Sequence, residues 1–199
     1  MKIFYNKKDL TRALNFEKNV GFVPTMGSLH KGHISLIKKS KLQCNKTLIS
    51  IFVNKPQFNK SNDFKSYPRN INYDIKLIKK SKVDYLYLPK SSEIYPNGPN
   101  KNIKINSFHK KLCGKFRPNH FHAVVDVISR FIEIINPRKI YLGEKDLQQL
   151  LLIKDFLNNK KIKTKIVMCN TVRESNGIPY SSRNLLLKNT HKNIAAKIF

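Results

Sequence analysis

The run Thr47-Leu48-Ile49-Ser50-Ile51-Phe52-Val53 has apolar residues at both odd and even positions. Side chains of a strand alternate between two faces, so such a run has to be covered on both sides, as strands of helix-covered parallel sheets are. Val20 to Val23, Val83 to Leu88, Lys139 to Leu142 and Ile162 to Met168 read as further strands, and Ile103 and Ile105 mark a short edge strand. Between them the apolar spacing lengthens to three and four: Leu10, Leu14 and Phe16; Ile34, Leu36, Ile37 and Leu42; Ile71, Ile75 and Ile78; Val124, Val127, Ile128, Phe131 and Ile135; Leu150, Leu151, Ile153 and Leu157. These are helical stripes. Asn54 to about Tyr67, rich in Asn, Lys and Ser, reads as a loop. The alternation predicts a doubly wound, mostly parallel α/β sheet whose ligands lie outside the carboxyl ends of the strands.

The chain's 199 residues suit one domain or slightly more. No apolar run reaches membrane-spanning length, and Met1 to Phe4 lead straight into charged residues, so the expectation is a cytoplasmic protein without a membrane partner. Three widely spaced cysteines, Cys44, Cys113 and Cys169, argue against a disulfide framework or a paired-cysteine zinc site. The formal charge of +27 attracts anions in general. Only seven of the 39 basic residues are Arg, however, and the lysines are spread among Asn and Ile, so nucleic-acid binding is not expected as the primary role.

The densest polar motifs fall at strand ends. In Val23-Pro24-Thr25-Met26-Gly27-Ser28-Leu29-His30-Lys31-Gly32-His33 a strand passes through a Gly-punctuated turn into a helix start, where unpaired N–H groups and the helix dipole favour an anion. Two His three apart also suit a surface or capping pair; a metal site would need further ligands that are not evident, so no metal ligands are assigned. Ile51 to Phe58 carries Asn54 and Gln57, residue types common in turns. Gly143-Glu144-Lys145-Asp146-Leu147-Gln148-Gln149 has the acidic first turn of an ordinary helix. Thr171-Val172-Arg173-Glu174 and Ser181-Ser182-Arg183-Asn184 suit caps and turns.

Taken together and in this order, these motifs, with Arg117-Pro118-Asn119-His120-Phe121, resemble the pantothenate synthetase (pantoate–β-alanine ligase) family of the nucleotidyltransferase superfamily. The match runs from about Val20 to Asn184. The resemblance implies a Rossmann-like nucleotidyltransferase fold and an enzyme that condenses pantoate with β-alanine through a pantoyl adenylate, releasing AMP and pyrophosphate, with ATP as substrate and Mg²⁺ as cofactor. It assigns ATP contact to Met26, Gly27, Ser28, Leu29, His30, Lys31, Gly32, His33, Gly143, Glu144, Lys145, Asp146, Val172, Tyr180, Ser181, Ser182 and Arg183. Gln57, Gln149 and Asn54 fall to the other substrates, and His33, His30 and Lys145 to catalysis. His33 matches the family's proton donor, although adenylation needs charge stabilisation at the phosphates more than a proton. Asp146 can cap its helix, hold a ribose hydroxyl or orient Lys145. Arg117 and His120 suit either supporting or intersubunit contacts or plain helix capping.

Departures from the family pattern are Lys55 in the slot of a Pro, Cys113 for an acidic residue, and Pro179 and Tyr180 for smaller or aliphatic ones. Family members are commonly dimers, which implies a homodimer. They also continue into a smaller lid, so the expected division is a catalytic domain over 1–185 and the start of a largely missing lid domain over 186–199. The rival reading is a nucleotide-binding remnant, or a basic anion- or nucleic-acid-binding module, without ligase activity.

Overall fold

The computed structural model describes residues 1–197. Six strands, β1 (Lys2–Phe4), β2 (Val20–Thr25), β3 (Lys46–Ile51), β4 (Tyr85–Tyr87), β5 (Lys139–Gly143) and β6 (Lys165–Cys169), form one sheet in the order β1-β4-β3-β2-β5-β6 with every pairing parallel. The helices are α1 (Lys7–Leu14), α2 (Lys31–Gln43), α3 (Ser61–Ser66), α4 (Ile71–Lys80), α5 (Ser91–Ile94), α6 (His120–Ile135), α7 (Leu147–Asn159) and α8 (Asn189–Ala196). None of the described helices is long and apolar enough to cross a membrane.

Strand alternation sorts the core into two layers. Phe22, Leu48, Tyr85, Tyr87, Ile140 and Leu142 join residues of α1, α6 and α7, whereas Val23, Ile49, Leu86 and Tyr141 join Leu36 and Ile37 of α2 and Ile78 of α4. Both sheet faces are thereby covered, as the two-sided apolar runs require. Phe131 of α6 packs its ring against Phe22, Phe52 and Tyr87, with centroids 5.5, 6.1 and 6.1 Å away. Phe131→Ala is expected to cost about 3–5 kcal/mol in urea unfolding, because the vacated volume lies among rings that cannot all collapse into it.

Several local expectations differ from the structure. Ile103 and Ile105 form no strand; they lie in irregular backbone and pack against the first core layer, while β1 and β6 are the sheet edges. β1 itself, paired with β4, is too short to show a period. Residues 54–67 are not a plain loop but hold a 3₁₀ turn (Lys55–Gln57) and α3. Phe16 and Leu42 are 92% and 86% exposed, since α1 stops at Leu14 and Leu42 lies on the outer face of α2. β6 starts at Lys165 because Lys161, at φ 54, turns the chain just after α7.

The chain places β2 mid-sheet, steps outward through β3 and β4, then crosses to β5 and β6 on the other side. The direction of winding reverses between β2 and β5. Loops leaving the carboxyl ends of those strands diverge there and open a crevice.

Candidate active site

The loop after β2 is held by a residue far away in sequence. Gly27 and Ser28 both have positive φ, 81° and 52°, and the amides of Ser28 and Leu29 donate to the two carboxylate oxygens of Asp74, each at 2.7 Å. Asp74 projects from α4 and is only 1% exposed. Burial raises its pKa, and the two amide donors partly offset that. A Cβ at Gly27 would meet Asp74 Oδ2 at 3.0 Å, so glycine serves here through both its φ and its missing side chain. Leu29 anchors the loop in the second core layer.

His30 is the N-cap of α2. Its amide donates to Nδ1 of His33 at 3.3 Å, and the two rings meet at a tilt of 31° with centroids 4.0 Å apart. An Nδ1 that accepts leaves the neutral ring's proton on Nε2, so His33 offers a neutral N–H donor. Burial, reinforced by Lys145, lowers His30 to about 4; burial, His30 and Lys145 hold His33 well below its usual range.

At the end of β3, Asn54 is buried and fully engaged. It donates to Gln57 Oε1 (3.0 Å) and to the Ala123 carbonyl (3.2 Å), and accepts from the Tyr95 hydroxyl (2.7 Å). Lys55 and Pro56 open the 3₁₀ turn that folds Gln57 back over Asn54. The Gln57 carbonyl accepts from Nδ1 of His120 at 2.8 Å, which ties α6 to this turn. Burial takes His120 to about 4.

After β5, the turn Glu144–Asp146 exposes Lys145, whose Nζ lies 3.5 Å from the Tyr180 carbonyl. Asp146 precedes α7 without a side-chain capping bond, so the capping option is not the one adopted. After β6, the Ser182 hydroxyl donates to the carbonyls of Ser28 (3.1 Å) and Gly27 (3.4 Å), pinning this last segment onto the first loop. Tyr180 stacks on His30 (centroids 6.0 Å), with Lys31 Nζ 5.7 Å from its ring. Cys113, although exposed, donates to Gln148 Oε1 at 2.9 Å.

Two cavities meet at these loops. The larger, about 440 Å³, is lined among others by Met26, His30, His33, Asn54, Gln57, Arg117, His120, Lys145, Asp146, Gln149, Ser181, Ser182 and Arg183. The smaller, about 140 Å³, adds Gly32, Gly143, Thr171, Val172 and Tyr180 and shares His30, His33, Lys145, Asp146 and Gln149 with the first. Of the sequence-derived candidates, Ser28 and Leu29 lie beneath the loop, Gly27 borders a separate small hollow, and Lys31 and Glu144 are exposed and line neither cavity. Asp74, Asp63, Tyr95 and Gln148 were not anticipated. Asp74 does leave a trace in sequence, a charge within the Ile71, Ile75 and Ile78 stripe of α4.

His30, His33 and His120 resist protonation in the folded state relative to an ordinary value of 6.5. Between about pH 6.5 and pH 4 the unfolded chain therefore binds protons that the folded one excludes, and stability falls as pH falls through that window. The groups facing these rings are Lys145 and Glu174 at His30, and Arg117, Asp146 and Arg183 at His120. We expect the urea midpoint to decline from about pH 6.5 toward pH 4, and His30→Gln to flatten the decline.

A family model described as pantoate-beta-alanine ligase matches residues 2–199. A pantothenate synthetase of Francisella tularensis subsp. mediasiatica is 45% identical over 191 residues, covering 96% of this chain and 73% of the relative. One from Pseudothermotoga lettingae is 40% identical over 188 residues, covering 94% and 67%. Among solved structures, pantothenate synthetase from Thermus thermophilus superposes with a TM-score of 0.94 at 34% identity, covering 98% of this chain and 71% of that one. The pantoate-beta-alanine ligase from Francisella tularensis, in complex with beta-gamma ATP and beta-alanine, gives 0.93 at 42% identity, covering 100% and 77%.

Proposed function

The chain belongs to the pantoate–β-alanine ligase family, and from that premise we infer that its joined cavities carry out the ATP-dependent condensation of pantoate with β-alanine. The observation that carries this reading is the convergence of His30, His33, Lys145, Asp146 and Gln149 on the boundary between a smaller and a larger cavity. Such a boundary suits a polyphosphate between a nucleoside and a second substrate. The Francisella tularensis relative complexed with beta-gamma ATP and beta-alanine supports it.

ATP lies with its nucleoside toward Gly143, Val172 and Tyr180 and its phosphates over the loop of Met26 to His33. The pantoate carboxylate, with Gln57 and Gln149 on its hydroxyls, attacks the α-phosphorus, and the bond to pyrophosphate breaks. The β-alanine amine then attacks the acyl carbon of the adenylate, the bond to AMP breaks, and the amine gives up a proton to form the amide. No protein nucleophile takes part. Positioning and neutralisation of developing phosphate charge do the work, through the α2 N-terminus, the Nε2–H of His33, Lys145 and Arg183. His33, whose pKa burial holds below its ordinary value, offers its Nε2–H to the phosphates as a hydrogen-bond donor.

Among the described residues no cluster of three or more acidic, His or Cys side chains makes a metal cage. A Mg²⁺ there would be carried mainly by the phosphates, with Asp146, which lines both cavities, as the protein carboxylate to hold it. Bound there, the ion would draw negative charge off the phosphate oxygens. We further propose a homodimer in the cytoplasm, for which light scattering should give about twice the 23.2 kDa chain mass. A separate unit starting at 186 is also proposed, because Leu185, Leu186 and Ile194 remain exposed outside both core layers; limited proteolysis that spares the 180–190 segment while cutting elsewhere would refute it. The non-ligase readings are not favoured, since the family match runs nearly the whole chain. The deciding assay follows pyrophosphate, AMP and pantothenate with each substrate omitted in turn. AMP release that requires both pantoate and β-alanine is expected, and ATP binding without it would overturn the reading.

A further inference from the structure

Arg183, which lines the larger cavity, forms an ion pair with Asp63 of α3. Nε and Nη2 of Arg183 donate to the two carboxylate oxygens at 3.0 and 2.9 Å. The rings of Phe58 and Tyr67 lie 5.7 and 5.1 Å from the guanidinium carbon. Asp63 is on α3, just beyond the turn that presents Gln57, while Arg183 follows Ser182, which is bonded to the Gly27–Ser28 loop. The pair thus joins the polyphosphate side of the site to the pantoate side.

A guanidinium has five N–H donors in a rigid plane, and a carboxylate gripping one edge uses two of them. Three N–H groups remain, one on Nη2 and two on Nη1, and Arg183 lines the cavity. The two side chains are 42% and 34% exposed, so solvent screens the pair and its worth to folding is small. What it supplies is orientation, since a long side chain already fixed loses less rotamer freedom when a ligand arrives. Asp63 is drawn down in pKa chiefly by its bond to Arg183, and Arg183 is raised chiefly by the same bond, so both stay charged at neutral pH.

We propose that Asp63 is a positioning residue for ATP: it holds one edge of the Arg183 guanidinium so that the other edge donates to the polyphosphate. This rests on the ligase reading. It runs against simple Coulomb expectation, because removing a carboxylate near a polyanion should by itself tighten binding. The two effects therefore predict opposite signs.

The test measures ATP affinity by calorimetry, and kcat and KM for ATP and pantoate, in Asp63→Asn, Asp63→Glu, Arg183→Ala and the Asp63→Asn/Arg183→Ala double variant. Asp63→Asn should weaken ATP binding and raise its KM about tenfold, the scale of one charged hydrogen bond. The pantoate KM and the urea midpoint should stay within about twofold and experimental error, and Asp63→Glu should recover part of the loss. In the double variant Asp63→Asn should add nothing to Arg183→Ala. Unchanged or tighter ATP binding in Asp63→Asn, or an undiminished effect without Arg183, overturns the proposal. A parent protein that binds ATP but makes no pantothenate sinks the ligase reading and leaves the ATP affinities to decide this one; a parent that binds no ATP sinks both.

Discussion

Lys145→Ala is expected to lower kcat by about 10²- to 10³-fold, the loss typical of removing one donor from developing transition-state charge, while leaving the urea midpoint in place. Lys145 is exposed, and its Nζ meets the Tyr180 carbonyl only at the outer limit of a hydrogen bond, 3.5 Å, so little of the fold depends on it. Its position on the turn directly after β5, lining both cavities, is where charge shifts toward pyrophosphate in the proposed first step. The effect should appear in pyrophosphate release more than in ATP affinity, since an interaction realised mainly in the transition state lowers kcat. Lys145→Arg should recover only part, because a planar fork does not replace a compact ammonium at a fixed point. Parent-level turnover in Lys145→Ala would remove Lys145 from the mechanism.

The second large effect is expected at Asp74, which touches no substrate in this reading. Asp74→Ala orphans the buried amides of Ser28 and Leu29, each a loss on the order of 1–3 kcal/mol. It also frees two consecutive positive-φ residues that the carboxylate holds in place. Urea unfolding should report the stability loss, and the ATP KM should rise because the loop no longer holds the N-terminus of α2 in one position. Asp74→Asn should fall between, since its amide keeps one acceptor oxygen and turns a donor toward the other N–H. An Asp74→Ala protein with parent stability and parent ATP KM would show that the loop holds its own shape.

The sheet class was readable because a strand covered on both faces cannot carry a polar stripe, and the runs at Val20, Thr47 and Lys139 have none. The turn at Gly27 and the helix start at His30 were readable because backbone sterics and unpaired amides select residues locally. β1 is not legible in the sequence because three residues carry no period, and the isoleucines at 103 and 105 alternate like a strand because apolar alternation also serves coil packed on a core. Cofacial placement of His30 on Tyr180, or the grip of Asn54 on Ala123 and Tyr95, has no local signature at all.

Sequence alone determined the alternation of covered strands with amphipathic helices, and hence a parallel sheet with motif-bearing loops at its carboxyl edge. The tertiary structure decided which side chains those loops present and which merely hold them. Asp74 reaches Ser28 across 46 positions and Arg183 reaches Asp63 across 120. Periodicity and turn chemistry act over a few residues, whereas these contacts follow from the strand order β1-β4-β3-β2-β5-β6, which is selected by packing of the whole chain.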